Sequence, residues 1–357
     1  MPAPLRITDL PAPMAADRLQ LSERERIILR HIVQHFILSA DPVGSRALAR
    51  RTGLSLSPAS IRNVMADLEE MGLLTHPHTS AGRLPTSLGY RFYVDDLMQD
   101  EELSAAERRA IEQRIEQISP EATDILNQIG DLLGRVSRLL GVILAPDLSS
   151  GILERVEILR VAAGRLMVVV VVRAGLVRTI MLELSSPISD ADIAVAVRLI
   201  NERLGGMRLA DIPVEAEQRL AGEGAADNAV VRLFIDFPER IFAPDPPGEV
   251  HLGPARHVFD LPEFSAPDKM RGIIELIEDR DVIVHLLRDR GEGVTVTIGD
   301  ENSSGQLRDF SVITSHYLHG GSRGTLGIIG PTRMNYSRLI ALVNLTARLL
   351  SERLKSR

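Results

Sequence analysis

Among the polar side chains of this 357-residue chain, Arg62 and Asn63 have the types and spacing best suited to reading a nucleic acid. An Arg guanidinium can fork onto guanine and an Asn carboxamide onto adenine, both in the DNA major groove. At 3.6 residues per turn Ala59, Arg62, Asn63 and Ala66 share one helix face, while Ile61, Val64, Met65, Leu68 and Met71 share the other. The alanines permit close approach to a groove, and the hydroxyls of Ser57 and Ser60 can reach phosphates.

Local chemistry must first build the helix that carries them. Ser57 is a good N-cap, Pro58 sits where its missing N–H is harmless, and Gly72 can end the helix in a left-handed conformation. The helix is therefore expected over Pro58 to Met71. Before it lie a short helix and a turn at Gly53. After it come a strand at Leu73–Thr75, a loop from His76 to Gly82, and a return strand at Arg83–Pro85. An amphipathic surface helix is the plainer reading of the helix alone; with its neighbours the pattern specifies a winged helix-turn-helix. The candidate DNA-contacting set is Ser45 and Arg46 on the preceding helix, Ser57, Ala59, Ser60, Arg62, Asn63 and Ala66 on the reading helix, and Arg83 on the wing. Arg83 could enter a minor groove or hold a phosphate. His76 and His78 have no third metal ligand nearby, and His31 and His35 lack the Glu of a zinc-protease motif; neither pair is taken as a metal site.

Charge placement agrees with this reading. Ser22 to Tyr93 holds nine Arg against six acids, +3, within a chain of net charge −7, so the remainder is −10. A basic head on an acidic body steers the head toward phosphate. Zero Cys excludes disulfides and thiolate metal sites and fits a reducing cytoplasm. The apolar run Leu166–Val172 is too short to span a bilayer, and residues 1–20 contain no signal-peptide core, so a soluble cytoplasmic protein is expected. Of the 41 basic residues only Lys269 and Lys355 are Lys. No Walker A, dinucleotide fingerprint or nucleophile elbow occurs, and His316 and His319 have no evident triad partners. No catalytic residue, cofactor or metal is assigned.

The rest of the chain supplies the body. Ser22 and Glu25 form a capping box for a helix to Ser39 with Ile28, Ile32 and Phe36 inward. A further helix over Thr86–Met98 carries Tyr90, Phe92 and Tyr93, read as packing against the first helix rather than stacking on bases. Ser104 with Glu107 caps a helix to Ile118, and Ser119-Pro120 starts another to about Leu140. Strands are expected at 142–144, 156–161, 166–172 and 176–184, with turns at Ala163-Gly164 and Ala174-Gly175. The third, continuously apolar, is expected to be central and covered on both faces. Ser189 caps a helix to Leu204. A Pro- and Gly-rich segment follows with a strand at Val230–Phe237 and a helix over Pro267–Glu278. Strands resume at 294–298, 310–316 and 325–329, with a turn at Gly299–Asn302, a Gly-rich hairpin at Gly320–Gly324, and a terminal helix from Tyr336 to Leu354. Strands on both sides of a different segment point to an insertion within one α/β domain.

The stretches from Ser45 to Leu74 and Ser80 to Met98, the LPEF at Leu261–Phe264, and the segment from Ser311 to Val343 with its GPTRMNY resemble the HrcA family of bacterial heat-inducible transcription repressors. The resemblance runs from about Ser22 onward. It implies an α+β multidomain protein: a winged-helix DNA-binding domain with linker helix at 22–100, a discontinuous GAF-like domain at 101–206 and 291–357, and an inserted dimerisation domain at 207–290; ahead of it residues 1–21 are expected to be disordered. It further implies a homodimer that binds the CIRCE inverted repeat upstream of groE and dnaK-type operons, with the GroEL chaperonin as a partner that brings the repressor to its active fold. The alternative kept open is a ligand-gated repressor whose GAF-like domain senses a small molecule.

Overall fold

The structure is a computed structural model, and it describes residues 20–51, 56–77, 82–118, 122–146, 151–162, 164–173, 176–183, 188–222, 228–242, 250–288, 291, 293–302, 307–319 and 322–355. The N-terminal head comprises α1 (Glu23–Ser39), α2 (Ser45–Arg51), α3 (Pro58–Glu70), β1 (Leu74–Thr75), β2 (Leu84–Pro85) and α4 (Ser87–Phe92). Ser22 and Glu25 make the reciprocal capping box, and Ser57 Oγ accepts the Ser60 N–H at 3.1 Å. Gly72 takes φ +75°, as a residue ending a helix in the left-handed region must. The interior joins Ile28, Leu29, Ile32 and Val33 to Ile61, Met65 and Leu68; Phe36 is only half-buried. The expected turn at Gly53 and the loop residues 78–81 lie outside the described residues.

The expected Thr86–Met98 helix divides. Thr86 caps α4, and at Tyr93 the chain changes to a π-helical turn, Tyr93–Leu97. Then α5 (Ala105–Glu116), α6 (Ala122–Ser137) and β3 (Leu140–Leu144) follow. Helix α6 is a core helix here, with Ile125, Leu126, Ile129, Leu132 and Leu133 buried; its expected start at Ser119-Pro120 lies outside the described residues.

Next come β4 (Leu153–Ala162), β5 (Arg165–Val172), β6 (Leu176–Glu183), α7 (Asp190–Leu204), α8 (Ile212–Leu220), α9 (Ala229–Asp236) and α10 (Pro238–Phe242). The three strands form an antiparallel sheet of their own, order β4-β5-β6. Its inner face, with Val156, Ile158, Leu166, Val168 and Val170, packs on Ile193, Ala196 and Ile200 of α7 and Val230, Val231 and Phe234 of α9. Asn201 holds α7 to β4 by accepting the Val156 N–H at 2.6 Å and donating to its carbonyl at 2.9 Å.

Two expectations are corrected here. Val230–Phe237 is not a strand: Asn228 Oδ1 accepts the N–H groups of Val230 and Val231, capping a helix whose buried positions recur at helical spacing. A run of β-branched and aromatic residues mimics a strand when its cap is overlooked. Strand β5 is central, but not covered on both faces. Register aligns Leu159, Met167 and Met181 in one row of the outer face and Arg155, Val171 and Val177 in another. Leu159, Val177 and Met181 are exposed, and Met167 and Val169 are half-exposed. The expected turn residues Ala163, Ala174 and Gly175 lie outside the described residues.

The remaining elements are β7 (Val250–Leu252), α11 (Arg256–Phe259), α12 (Pro267–Glu278), α13 (Arg280–Leu287), β8 (Thr295–Ile298), β9 (Phe310–His319), β10 (Ser322–Pro331) and α14 (Tyr336–Lys355). A five-stranded sheet is ordered β7-β3-β10-β9-β8, with β8 and β9 antiparallel. Residues 299–301 form a 3-10 turn at the exit of β8; Gly320 and Gly321 lie outside the described residues.

The chain divides into two compact units. One gathers the head through Ile143 with Val250–His316 and Thr325–Ala347; the other holds Leu144–Glu249, Tyr317–Gly324 and Arg348–Arg357. The second unit begins at Leu144, β4–β6 pair with one another and not with the five-stranded sheet, and residues 250–288 belong to the first unit. The whole is an α+β protein. Phe234 is fully buried and Val214 is 85% exposed. Phe234→Ala is expected to cost about 3–5 kcal/mol in urea unfolding, and Val214→Ala less than about 0.5 kcal/mol.

Candidate nucleic-acid interface

Helix α3 presents two faces because three residues, Ile61, Met65 and Leu68, are withdrawn into the head. On the other side Ser57, Ala59, Ser60, Arg62 and Asn63 are exposed, and Ala66 is half-buried. Arg62 and Asn63 make no hydrogen bond or ion pair to another described residue. Ser57 is committed to its cap, its Oγ also 3.0 Å from Ser60 Oγ. A phosphate could therefore be shared between the two hydroxyls only alongside that bond. Arg46 on α2 is exposed; Ser45, beside it, is buried and offers little to an external ligand.

Arg83, expected to enter a minor groove or hold a phosphate, has an acidic partner within the protein. Its Nε lies 2.7 Å from Glu69 Oε2, and Glu69 Oε1 also holds His76 Nδ1. The acid on the last turn of α3 thus gathers the base of the β1–β2 hairpin and neutralises Arg83. Val43 exchanges both backbone hydrogen bonds with Arg83, at 2.8 and 2.9 Å, adding a third extended segment beside β2. Sequence reasoning missed both features. Glu69 is seven residues before His76 and fourteen before Arg83, and only the folded hairpin brings the three together; the β-branched Val43 ahead of Gly44 was the one local signal.

Three of the Arg counted toward the basic head are engaged inside the protein. Arg83 meets Glu69, Arg26 meets Asp96 at 3.5 Å, and Arg91 is buried against Glu301 and Asp95. The cation surplus available to an anion is carried by Arg24, Arg46, Arg50 and Arg62, all exposed. Tyr90, Phe92 and Tyr93 are buried, so they pack rather than stack on bases, and Arg26 lies 5.8 Å over the Phe92 ring. Burial and the neighbouring Arg30 lower the pKa of His31, which favours the neutral ring in the folded head.

The other sequence candidates have structural partners. His316 Nδ1 is 3.1 Å from Thr325 Oγ1 and its Nε2 is 3.1 Å from the Gly291 carbonyl. The buried Tyr317 hydroxyl donates to the Leu144 carbonyl at 3.1 Å. Among the described residues no group of three or more His, Asp or Glu side chains is arranged to hold a metal ion, and no helix is long and apolar enough to cross a membrane.

Comparison with known proteins adds three findings. The family model described as the HrcA protein C-terminal domain matches residues 123–340. A heat-inducible transcription repressor HrcA of Chlorobium phaeobacteroides (strain BS1) is 39% identical over 350 residues, covering 94% of this chain and 98% of the relative. One of Syntrophobacter fumaroxidans (strain DSM 10017 / MPOB) is 36% identical over 341 residues, 94% and 98% of the two chains. A crystal structure of a hypothetical protein superposes with a TM-score of 0.56 at 24% identity, over 94% of this chain and 98% of that one, and shares the fold.

The division of labour within α3 is checked by stability. Ser57→Ala is expected to lower it by about 1 kcal/mol through the lost cap. Arg62 and Asn63 are exposed and have no hydrogen bond or ion pair to another described residue, so Arg62→Ala and Asn63→Ala are expected to stay within about 0.5 kcal/mol of the parent.

Proposed function

The chain belongs to the HrcA family of heat-inducible transcription repressors, and from that premise we propose that it is a homodimeric, non-enzymatic repressor of groE- and dnaK-type chaperone operons. In this reading it acts in the cytoplasm, recognises a CIRCE-type inverted repeat, and depends on the GroEL chaperonin. The N-terminal head is a winged helix, the five-stranded body is GAF-like, and the β4–β6 unit is an inserted dimerisation domain. The observation that carries the reading is the outer face of α3. Arg62 and Asn63 are exposed and uncommitted there beside Ala59, the combination that lets a helix enter a major groove and fork onto base edges. Ser57, Ser60, Arg46 and a released Arg83 supply the phosphate contacts.

The open side of the β4–β6 sheet supports the dimer. An antiparallel sheet with Leu159, Val161, Val177 and Met181 facing water carries an apolar surface that a second copy would cover. Two heads related by a twofold axis then require an inverted repeat. The same surface gives a physical route to chaperonin dependence. An unpaired protomer exposes apolar strand residues, which is what a chaperonin binds, and pairing conceals them. When heat-denatured chains occupy the chaperonin, fewer protomers reach the paired state and repression falls.

Binding of the purified protein to an inverted-repeat chaperone promoter and to a scrambled repeat, at fixed salt, with and without GroEL, tests this. Preference for the repeat, increased by GroEL, is expected. Preference that responds instead to small molecules would transfer the reading to a ligand-gated repressor, and an absence of preference from a folded dimer would overturn the operator assignment. Arg62→Ala and Asn63→Ala are each expected to lose about 1–3 kcal/mol of discrimination. Glu69→Ala, which frees Arg83, is expected to tighten binding to any duplex and to steepen the logarithmic salt dependence by about 0.9.

A further inference from the structure

The segments LPEF (Leu261–Phe264) and GPTRMNY (Gly330–Tyr336) lie far in sequence from α3, yet they meet the head and its linker directly. Arg333 donates from Nη1 to the Ile37 carbonyl at 2.7 Å. Ile37 is in the last turn of α1, where carbonyls lack helical partners, so Arg333 caps a helix of the head. Glu263 of LPEF fixes the same guanidinium through both carboxylate oxygens. Tyr336 packs its ring 5.8 Å from Tyr90. Ser337 Oγ accepts the Glu101 N–H at 2.7 Å and donates to the Gln99 carbonyl at 2.8 Å, and Arg338 pairs with Glu107 at 2.9 Å.

A second pin runs in the opposite direction. Arg91 of α4, 3% exposed, donates to both oxygens of Glu301 and, at 2.6 Å, to the Val296 carbonyl of β8. Glu301 is itself held by the Ile298 N–H at 2.9 Å. Gly299, at φ +55°, sits where any Cβ would collide with the Ser87 hydroxyl at the start of α4. Head and five-stranded body therefore meet through two arginines, one from each side, each forked onto a carboxylate and satisfied by a backbone carbonyl.

We infer that Arg91 with Glu301 and Arg333 with Glu263 are positioning residues for operator binding, a two-pin joint that sets the angle of the head and hence the half-site spacing the dimer accepts. A single pin leaves a rotation open; two pins on different head helices remove it. The DNA consequence rests on the two-headed reading proposed above, whereas the joint itself is a property of one protomer. None of the four side chains lies on the α3 reading face, so their loss alters where the heads are held and leaves the contacts of each head to its own half-site.

Two measurements on the full-length protein test this. Binding is measured to duplexes carrying the repeat with its native spacer, with spacers changed by about five base pairs in either direction, and to a single half-site. The parent is expected to favour the native spacer by at least about tenfold, since two linked heads bind together only if the geometry allows. Arg333→Ala and Glu301→Gln are expected to compress that preference to within about threefold, with half-site binding unchanged, and Arg333→Lys to restore part of it. Independently of DNA, the chain contains no Cys, so spin labels at Arg24→Cys on the head and Glu275→Cys on α12, diluted with unlabelled protein, report the head angle directly. A single narrow distance is expected in the parent and a broadened one in Arg333→Ala. A parent indifferent to spacing would overturn the two-headed reading and leave the label distances to decide the joint. Folded variants with unchanged distances and an unchanged spacer profile would overturn the joint.

Discussion

A charged guanidinium taken out of water must be met on every side, and the burial of Arg91 imposes that condition on the N-terminal head and on the exit of β8. Its donors are used by Glu301, Asp95 and the Val296 carbonyl, and burial correspondingly raises the pKa of Asp95, which the Arg91 charge opposes. Such a buried pair contributes little net stability over an apolar substitute, because desolvation offsets most of the attraction, but removing one partner leaves an uncompensated charge and costs about 3–5 kcal/mol. The pair therefore acts as a constraint on geometry. Only an arrangement that keeps α4 against the exit of β8 satisfies it, and that arrangement also seats Tyr90 on Tyr336 and brings Ile37 within reach of Arg333.

With the head fixed in this way, its outward surface is left for recognition. Glu69 holds Arg83 and His76 close to the hairpin base, so the cationic charge of the wing is masked in the free protein, while Arg62 and Asn63 stand uncommitted on α3. In the proposed function this arrangement would separate sequence reading from phosphate attraction: Arg62 and Asn63 would need no release, whereas Arg83 would have to exchange a carboxylate for a phosphate. The second unit follows an analogous pattern. Its inner sheet face is filled by α7 and α9, and its outer face keeps apolar residues in view.

Local chemistry was legible in the sequence, and distant chemistry was not. Ser57, Pro58 and Gly72 marked the reading helix to within a residue, Ser22 with Glu25 and Ser104 with Glu107 marked two more starts, and α12 runs over Pro267–Glu278 as periodicity and an opening proline required. Each of these signals is contained within one or two turns. The Asn228 cap was also local, but the apolar run behind it carries strand-forming residues at positions that suit either period, and the cap alone decides. Arg91 entered the sequence reading only as one of nine Arg in the head's charge count, because its partner stands 210 residues later. The separation of β4–β6 from the five-stranded sheet was hidden for a related reason: apolar strands announce that they pair, not with whom.

The π-helical turn Tyr93–Leu97 has a consequence for how the linker tolerates changes in length. A wider turn accommodates one residue more than an α-helical turn over nearly the same rise. Removing one residue there would let the segment close into ordinary α-helix, and because four α-helical residues sweep about the same angle as five in the wide turn, what lies beyond would keep nearly its bearing relative to α4. The loss of a single residue between Tyr93 and Leu97 can thus be absorbed by the turn itself, whereas the same loss within α4 would rotate everything beyond it by about 100°.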